Sequence, residues 1–302
     1  MKILVTGSEG VVGSGLVERL NNYGHDVFTL DIKQSEKDKH FECDISSYAE
    51  LNKIFHENKF DFVYNLAALF GRIRGEDRYE KMWQSNVVGT KNIIRFQEKY
   101  KFKLIHFSSS EIYGDFKGLM TEDVPEKHPL RQFNDYAMSK FVNEMQILNS
   151  AEQFGTESLR VRLFNLYGKE PYSKYRSVIC KFIYNTLHNK PYTVYTDYYR
   201  TSLYIDDATE ILSKIIDNFV PGEVYNIGGT EHHDIKTISD MILSYLGKND
   251  DMVSYESFDL LTTRDKQVDC SKAYKALNFA PKINLKEGIP ITIEWMKKYY
   301  NK

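Results

Sequence analysis

The first 31 residues constrain the fold of this chain more than any other stretch. Residues 2–6 are a short apolar run with β-branched side chains, which is typical of a buried parallel strand. Three glycines with G-x-x-G-x-x-G spacing follow directly: Gly7, Gly10 and Gly13. Apolar residues then recur at helical spacing over residues 11–23, and residues 26–30 form a second strand pattern that ends on Asp31. A strand, a glycine turn, a helix, a second strand and an acid, in this order, are the layout of a βαβ unit that binds a dinucleotide.

Each part of this unit has a chemical reason. Glycine lets the backbone turn tightly and approach a pyrophosphate without a Cβ in the way. The helix that begins near Val11 directs its unpaired N–H groups at the phosphates. Asp31 is placed to accept hydrogen bonds from a ribose diol and would repel a 2′-phosphate, so the site favours NAD over NADP. The predicted cofactor-binding residues of this unit are Gly7, Gly10, Val11, Val12, Gly13, Asp31 and Ile32.

The composition indicates a packed protein of one large α/β domain or two smaller ones, because the chain has 302 residues. Apolar residues make up 42% and charged residues 27%, so a folded core is expected rather than disorder. The net charge is −2 and no block of like charge occurs, which argues against nucleic acid and membrane surfaces as partners.

Three features of the sequence bear on the compartment. No apolar run approaches the roughly twenty residues of a membrane span. The chain opens on its first strand pattern, so no signal peptide is expected. Three cysteines lie far apart, without the spacing of a disulfide or a metal site: Cys43, Cys180 and Cys270. We therefore expect a cytoplasmic protein without a metal.

Strand and helix patterns alternate along the first half of the chain. The strand patterns cover residues 40–45, 61–68, 103–107 and 158–164, and the helical patterns cover 47–58, 78–100 and 134–154. This alternation predicts a parallel, doubly wound sheet with right-handed crossovers. Asp44 and Ile45 end one strand where an adenine ring could lie, and the small strand end at Leu66, Ala67 and Ala68 leaves room for a cofactor.

Tyr136 and Lys140 are the first candidates for chemistry. They are four residues apart in a helical pattern, so they share one helix face. A phenol has an ordinary pKa of about 10, too high for a base at neutral pH. A neighbouring ammonium, together with the positive nicotinamide, stabilises the phenolate and lowers that pKa. Lys140 could also hold the nicotinamide ribose. The Y-x-x-x-K spacing is common by chance, but here it follows a dinucleotide unit and a strand end that bears serines at 108–110.

Taken together, these motifs resemble the extended short-chain dehydrogenase/reductase family, and more narrowly its nucleotide-sugar epimerases, dehydratases and decarboxylases. The similarity continues through residues 162–168, 191–195, Arg200, 204–207, 225–228 and 269–273, which is essentially the whole chain. One departure is Lys169, where the family usually has a proline. The resemblance implies a Rossmann-type fold, NAD as cofactor and a nucleotide-diphosphate sugar as substrate.

The resemblance also implies a mechanism that these residues can support. Tyr136 takes the proton of the sugar 4-hydroxyl while C4 gives its hydride to NAD, Ser109 bonds the same oxygen, and Lys140 tunes Tyr136. The resulting 4-keto group acidifies the neighbouring C5–H, which opens elimination, decarboxylation or epimerisation.

Glu111 is the residue that decides among these outcomes. It stands where the family's 4,6-dehydratases and glucuronate decarboxylases carry a glutamate, and a carboxylate there could remove the C5 proton. The alternative is that Glu111 only pairs with a cation or caps a turn. Some dehydratases carry an acid one residue earlier, where this chain has Ser110, so acid assistance would be weaker. We expect a dehydratase or a decarboxylase, with a 4-epimerase as the alternative.

The second half is expected to bind the sugar nucleotide. By the resemblance, Asn165 binds a phosphate or sugar oxygen, and the cations near the diphosphate are Arg176, Arg200 and Arg264. The predicted NAD-binding domain covers residues 1–165, and a smaller interleaved α/β substrate domain covers 166–302, with segments near 203–227 returning to the main fold.

Two further expectations concern assembly and class. Family members commonly form homodimers through a four-helix bundle, which here would use the helices at 78–100 and 134–154. A non-catalytic NAD-binding regulatory protein is the alternative of another class, since a fold does not fix a function. The joint presence of Ser109, Tyr136 and Lys140 argues against it. A reductase that consumes NADPH would conflict with Asp31, although Lys33 weakens that conflict.

Overall fold

The structure is a computed structural model that describes residues 1–169 and 177–300, apart from the side chains at 73 and 74. Its strands are β1 Lys2–Thr6, β2 Asp26–Asp31, β3 His40–Glu42, β4 Phe62–Asn65, β5 Lys103–Ser109, β6 Ser158–Leu163, β7 Asn165–Tyr167, β8 Tyr192–Tyr195, β9 Tyr199–Tyr204, β10 Val224–Ile227, β11 His232–Asp234, β12 Val253–Glu256 and β13 Asp265–Lys266. Its α-helices are α1 Val11–Asn22, α2 Tyr48–Glu57, α3 Arg72–Asp77, α4 Tyr79–Trp83, α5 Gly89–Tyr100, α6 Val124–Lys127, α7 Asp135–Phe154, α8 Val178–Leu187, α9 Ile205–Ser213, α10 Ile235–Leu246, α11 Ser271–Ala276 and α12 Leu285–Tyr300.

The main sheet has seven parallel strands in the order β10-β6-β5-β4-β1-β2-β3. The strand order reverses between β1 and β4, because the chain builds outward from β1 to β3 and then returns to place β4 on the other side. Such a reversal opens a crevice at the carboxyl ends of the strands. The predicted doubly wound α/β fold is confirmed.

Both faces of this sheet are covered. Side chains on β1 alternate between the two faces, so Ile3 and Val5 join one cluster of buried apolar residues while Leu4 joins another. The first cluster includes the α1 residue Leu16, and the second includes Ile93 from α5. A strand buried on both faces explains why β1 reads as a continuous apolar run.

Chain from the second half reaches the main sheet in two places. β10 is its edge strand beyond β6, and α9 packs against α1, where the Arg19 Nε donates to Thr209 Oγ1 at 3.0 Å. Outside the main sheet, β9 lies between β11 and β13 and also pairs with β7, while β8 pairs with β12. β9 carries Arg200 and β13 carries Lys266, which are register partners.

Three predicted elements differ in detail from the structure, and one of them is the strand predicted over 61–68, which ends at Asn65. The helix predicted over 78–100 is divided: a π-helical turn at Gln84–Val88 separates α4 from α5, and it buries Asn86. A π turn inserts an extra residue into a helix and is frequent at functional sites. The strand predicted over 40–45 ends at Glu42, and Asp44 and Ile45 instead line the crevice. Within the described residues, none of the helices has both the length and the apolar character needed to cross a membrane.

Candidate active site

A cleft of about 400 Å³ lies at the carboxyl ends of β1, β2, β4 and β5, where the strand order reverses. Eighteen of the predicted site residues line it: Gly7, Gly10, Val11, Val12, Gly13, Asp31, Ile32, Asp44, Ile45, Leu66, Ala67, Ala68, Ser109, Ser110, Glu111, Tyr136, Lys140 and Asn165. These residues come from seven separate segments of the chain, with 7–13 and 136–140 counted as one segment each. The fold therefore brings the predicted cofactor residues and the predicted catalytic residues to one cavity.

The glycine turn forms one wall of this cleft. Gly7 has φ +69°, a conformation that L side chains rarely adopt, and a Cβ on Gly13 would lie 2.2 Å from the Gly7 carbonyl oxygen. α1 begins at Val11 with Gly10 as its N-cap, and no side-chain cap bonds its first turn. The backbone N–H groups of that turn therefore stay available, which fits the phosphates of a dinucleotide.

Asp31 lies at the end of β2, close to the glycine turn. Its carboxylate accepts hydrogen bonds from the Glu9 N–H at 3.0 Å and the Lys33 N–H at 3.1 Å. These bonds fix the carboxylate in the cleft wall, where it is the acid that the predicted ribose contact requires. A helix N-terminus without a side-chain cap and a fixed acid in the same cavity make the cleft a good fit for NAD.

Tyr136 and Lys140 lie on the first two turns of α7. The helix begins where it does because the Asn134 side chain caps it, accepting from the Ala137 N–H at 2.8 Å. Lys140 Nζ donates to the Phe107 carbonyl oxygen at 2.7 Å and is buried, and this burial lowers the pKa of its ammonium to about 8. The Tyr136 ring packs edge-on against Phe70 with 5.3 Å between ring centroids.

Ser109, Ser110 and Glu111 follow one another where β5 ends and a short 3₁₀ turn begins. The Ser109 hydroxyl accepts from the Glu111 N–H at 3.2 Å, so the serine both lines the cleft and starts the turn. The turn directs Glu111 into the cavity, where its side chain is 16% exposed. The hydroxyls and the carboxylate therefore share one cleft with Tyr136.

Glu111 pairs with a cation, which the sequence analysis allowed as an alternative but could not identify. Lys266 Nζ lies 2.5 Å from Glu111 Oε1, and its side chain is only 2% exposed. Lys266 belongs to β13, a strand of two residues, which is too short for a strand pattern to reveal. The one signal available was the position of Lys266 close to the predicted ligand Arg264.

The substrate-side arginines have different surroundings. Arg200 is buried and donates to the Tyr199 and Arg264 carbonyl oxygens at 2.7 and 2.8 Å. The Arg264 side chain is exposed and donates to the Ser257 carbonyl oxygen at 2.9 Å. Neither arginine is among the described residues that line the cleft, and Arg176 lies outside the described residues. Their role as diphosphate ligands stays a prediction.

A segment from the far end of the chain crosses near the mouth of the cleft. Arg72, at the start of α3, donates to the Asp259 carboxylate at 3.2 Å and to the Leu260 carbonyl oxygen at 3.1 Å. The Asn134 amide donates to the Leu261 carbonyl oxygen at 3.0 Å. The loop at 259–261 is therefore tied both to α3 and to the N-terminus of α7.

Comparison with known proteins identifies the family to which a chain with this cleft is similar. A profile described as the NAD dependent epimerase/dehydratase family matches residues 3–228. The UDP-N-acetyl-alpha-D-glucosaminuronate decarboxylase of Bacillus cytotoxicus is 30% identical, and the match covers 99% of each chain. A dTDP-glucose 4,6-dehydratase of Neisseria meningitidis is 28% identical over 97% of this chain and 92% of its own length.

A solved structure has a closely similar fold. It is the UDP-glucuronic acid 4-epimerase from Bacillus cereus in complex with UDP-glucuronic acid and NAD, with a TM-score of 0.88 and 25% identity. The match covers 99% of this chain and 100% of that one. A decarboxylase, a 4,6-dehydratase and a 4-epimerase thus each match nearly the whole of this chain.

Proposed function

The chain belongs to the NAD dependent epimerase/dehydratase family, and from this premise we propose that it oxidises a nucleotide-diphosphate sugar at C4 and then acts at C5 or C6. It is an enzyme, and its cofactor is NAD. The proposal leans towards a 4,6-dehydratase or a decarboxylase. A 4-epimerase is the second candidate, supported by the similarity to the Bacillus cereus enzyme.

One observation carries the proposal: Ser109, Glu111, Tyr136 and Lys140 all line the cleft that also contains the glycine turn. A non-catalytic NAD-binding protein would need the glycine turn and Asp31 but has no use for this set of groups. The set combines a phenol, an ammonium, a hydroxyl and a carboxylate, which are the groups that proton transfer at a sugar hydroxyl and at a neighbouring carbon requires.

The roles follow from the chemistry of each group. Tyr136 removes the proton of the 4-hydroxyl, and Ser109 holds the same oxygen by a hydrogen bond. Lys140, one helical turn beyond Tyr136, stabilises the phenolate and orients the cofactor ribose. NAD, when bound, supplies the hydride acceptor for C4.

Glu111 then acts on the 4-keto sugar. The keto group acidifies C5–H, and the carboxylate that lines the cleft is the group to receive that proton in an elimination. Ser110, beside it, carries no acidic proton to help a leaving 6-hydroxyl. Loss of carbon dioxide from a 4-keto sugar acid breaks the C5–C6 bond, needs no acid at O6 and removes no C5 proton, so Ser110 is compatible with decarboxylation as well as with dehydration.

The sugar nucleotide is proposed to lie between this catalytic set and the second half of the chain. Asn165 lines the cleft, and its buried amide oxygen has no hydrogen-bond partner in the described part of the protein. An unsatisfied amide is costly when buried, so a ligand hydroxyl or amide is a suitable donor to it. Arg176, Arg200 and Arg264 stay the proposed cations for the diphosphate.

The proposal extends to assembly and compartment. A stripe of apolar side chains on α7 is open to solvent, including Met145 at 56% and Leu148 at 47% exposure. We propose that two copies pack through this stripe and the neighbouring α5 into a four-helix bundle. We place the protein in the cytoplasm, since all three cysteines are buried and none forms a disulfide in the described structure.

Incubation with a panel of sugar nucleotides, followed by mass spectrometry, tests the function. Loss of water or of carbon dioxide supports the favoured outcomes, and an unchanged mass with altered stereochemistry supports a 4-epimerase. Tyr136→Phe should lower turnover by about a hundredfold or more while NAD stays bound. Glu111→Gln should abolish elimination but only reduce epimerisation. Full turnover by Tyr136→Phe would refute the assignment.

A further inference from the structure

The floor of the cleft contains an ion pair that the proposed mechanism does not use. Lys266 Nζ contacts Glu111 Oε1 at 2.5 Å, and the two side chains are 2% and 16% exposed. Glu111 lines the cleft, whereas Lys266 is not among the described lining residues. Lys266 therefore contacts a carboxylate that lines the cleft without being a described lining residue itself.

Stability alone is a weak reason for such a pair. Removing two charges from water costs about as much as their attraction returns, and apolar side chains of similar size often serve equally well. The surface pair between Lys272 and Glu223 shows the ordinary alternative, in which both groups stay near water at 43% and 33% exposure. A buried lysine aimed at a cleft carboxylate needs another explanation.

Geometry supplies that explanation. Lys266 is held in place because β13 pairs with β9, and its carbonyl oxygen accepts from the Thr201 hydroxyl at 3.1 Å. The Lys266 ammonium donates a hydrogen bond to Glu111 Oε1, and none of the described residues donates one to Glu111 Oε2. One carboxylate oxygen is thus fixed, and the other stays available to a molecule in the cleft.

The positive charges around Glu111 favour its ionised form. Burial is the largest influence on the pKa of Glu111 and raises it, but the charge and hydrogen bond of Lys266, together with the charges of Arg72 on α3 and Arg200 on β9, hold the pKa below its usual range. Burial lowers the pKa of Lys266 to about 8, and Glu111 opposes that shift. At neutral pH the pair is therefore a carboxylate and an ammonium.

We propose that Lys266 is a positioning residue, which fixes the orientation of Glu111 through one oxygen and keeps it charged, so that the other oxygen accepts the sugar proton. This inference rests on the proposed function for the role of Glu111 on the sugar. It assigns a task to a residue 155 positions away in the chain, and it makes Glu111 a base in the resting enzyme rather than an acid.

The test compares Lys266→Gln, Lys266→Arg and the surface control Lys272→Gln. Lys266→Gln removes the charge of Lys266 and leaves the burial of Glu111 opposed only by the charges of Arg72 and Arg200. The acid limb of the pH–turnover profile should therefore move up by about one pH unit or more. KM should change little, because Lys266 does not line the cleft. Lys266→Arg should restore the wild-type limb, and Lys272→Gln should leave it unmoved.

A second readout does not depend on turnover. The titration of Glu111 is followed by carbon-13 NMR of the holoenzyme labelled at the glutamate carboxyl carbons, with Glu111→Gln identifying the signal. An upward shift of the Glu111 pKa in Lys266→Gln supports the inference. It does so even if the enzyme converts no sugar nucleotide, and that result would refute only the proposed function. An unchanged Glu111 titration in Lys266→Gln overturns the inference. If that variant does not fold, a raised acid limb in Lys266→Arg overturns it instead.

Discussion

Lys140 is a buried charge whose proposed role in the chemistry comes at the expense of stability. Lys140 is 3% exposed, and its one hydrogen bond in the described structure goes to the Phe107 carbonyl oxygen. A buried charge with so little compensation costs free energy of folding. The proposed mechanism accounts for this cost, because it needs the charge beside Tyr136.

Lys140→Met should therefore make the protein more stable and much less active. At pH 7 we expect the free energy of unfolding to rise by on the order of 1 to 3 kcal/mol, and turnover to fall by about a hundredfold. Urea unfolding and a turnover assay measure the two effects. Lys53→Met, at an exposed position on α2, is the control and should change neither.

The pH dependence of that difference has a definite sign. The pKa of Lys140 is about 8 in the folded protein, below the value of about 10.4 in an unfolded chain. Between these values the unfolded state binds more protons, so the stability of the wild type rises with pH. The difference in free energy of unfolding between the wild type and Lys140→Met should therefore become smaller from pH 8 to about pH 10. A gap that is constant over this range would contradict the assigned cost.

At the scale of elements, the start of α7 determines where Tyr136 lies. Asn134 caps the helix through its Oδ1 and donates from its Nδ2 to the Leu261 carbonyl oxygen at 3.0 Å. Its two bonds thus join the catalytic helix to the loop at 259–261. Tyr136 is the second residue of the helix, so any fraying there moves the phenol.

Asn134→Ala should lower the free energy of unfolding by about 1 to 2 kcal/mol, since it removes the cap. Asn134→Asp keeps an acceptor for the Ala137 N–H but cannot donate to Leu261, so it should lose less stability while still loosening the loop. Urea unfolding of the three proteins checks the order. Equal losses in both variants would mean that the cap is not the dominant contribution.

Some elements could be predicted from the sequence and others could not, for a physical reason. The unit of β1, α1 and β2 has strong local signals, and its observed bounds match the predicted ones to within a residue. The π turn at Gln84–Val88 left no local signal, because its cause is tertiary: Asn86 bonds the Leu69 backbone and the Ser139 hydroxyl. Local periodicity does not report such contacts.

The candidate site divides in the same way. Tyr136, Lys140 and Glu111 belong to motifs whose spacing is visible in the sequence, and all three line the cleft. Two contacts, Lys266 with Glu111 and Arg72 with Asp259, each join residues that are more than 150 positions apart in the sequence. A single sequence contains no measure of such a contact.

For the whole molecule, the open question of assembly has a direct test. The exposed stripe on α7 consists of Met138, Met145 and Leu148, with Phe141 partly buried between them, and these positions recur at helical spacing. A stripe of this kind in water is typical of a surface that another chain covers.

The double variant Met145→Lys with Leu148→Lys should therefore be monomeric under conditions in which the wild type is a dimer, because charges in an apolar interface are not compensated. Analytical ultracentrifugation measures the mass in solution. Leu119→Lys, at a residue of 47% exposure away from the stripe, is the control and should leave the dimer intact. A wild type that sediments as a monomer refutes the proposed bundle.

The place of β10 in the main sheet has a consequence for how the protein is made. One edge of β6 pairs with β10, with Val161 opposite Tyr225, and β10 lies some sixty residues further along the chain. This pairing cannot form until β10 has been synthesised. Until that stretch has left the ribosome, the backbone of β6 has an open edge that other chains can pair with. A fragment of residues 1–165 should accordingly aggregate or unfold without cooperativity, as light scattering and thermal denaturation would show, whereas the whole chain unfolds cooperatively. During much of its synthesis the nascent chain therefore has an unpaired strand edge that is prone to aggregation. Its dependence on chaperones should end once the segment around Tyr225 has emerged from the ribosome.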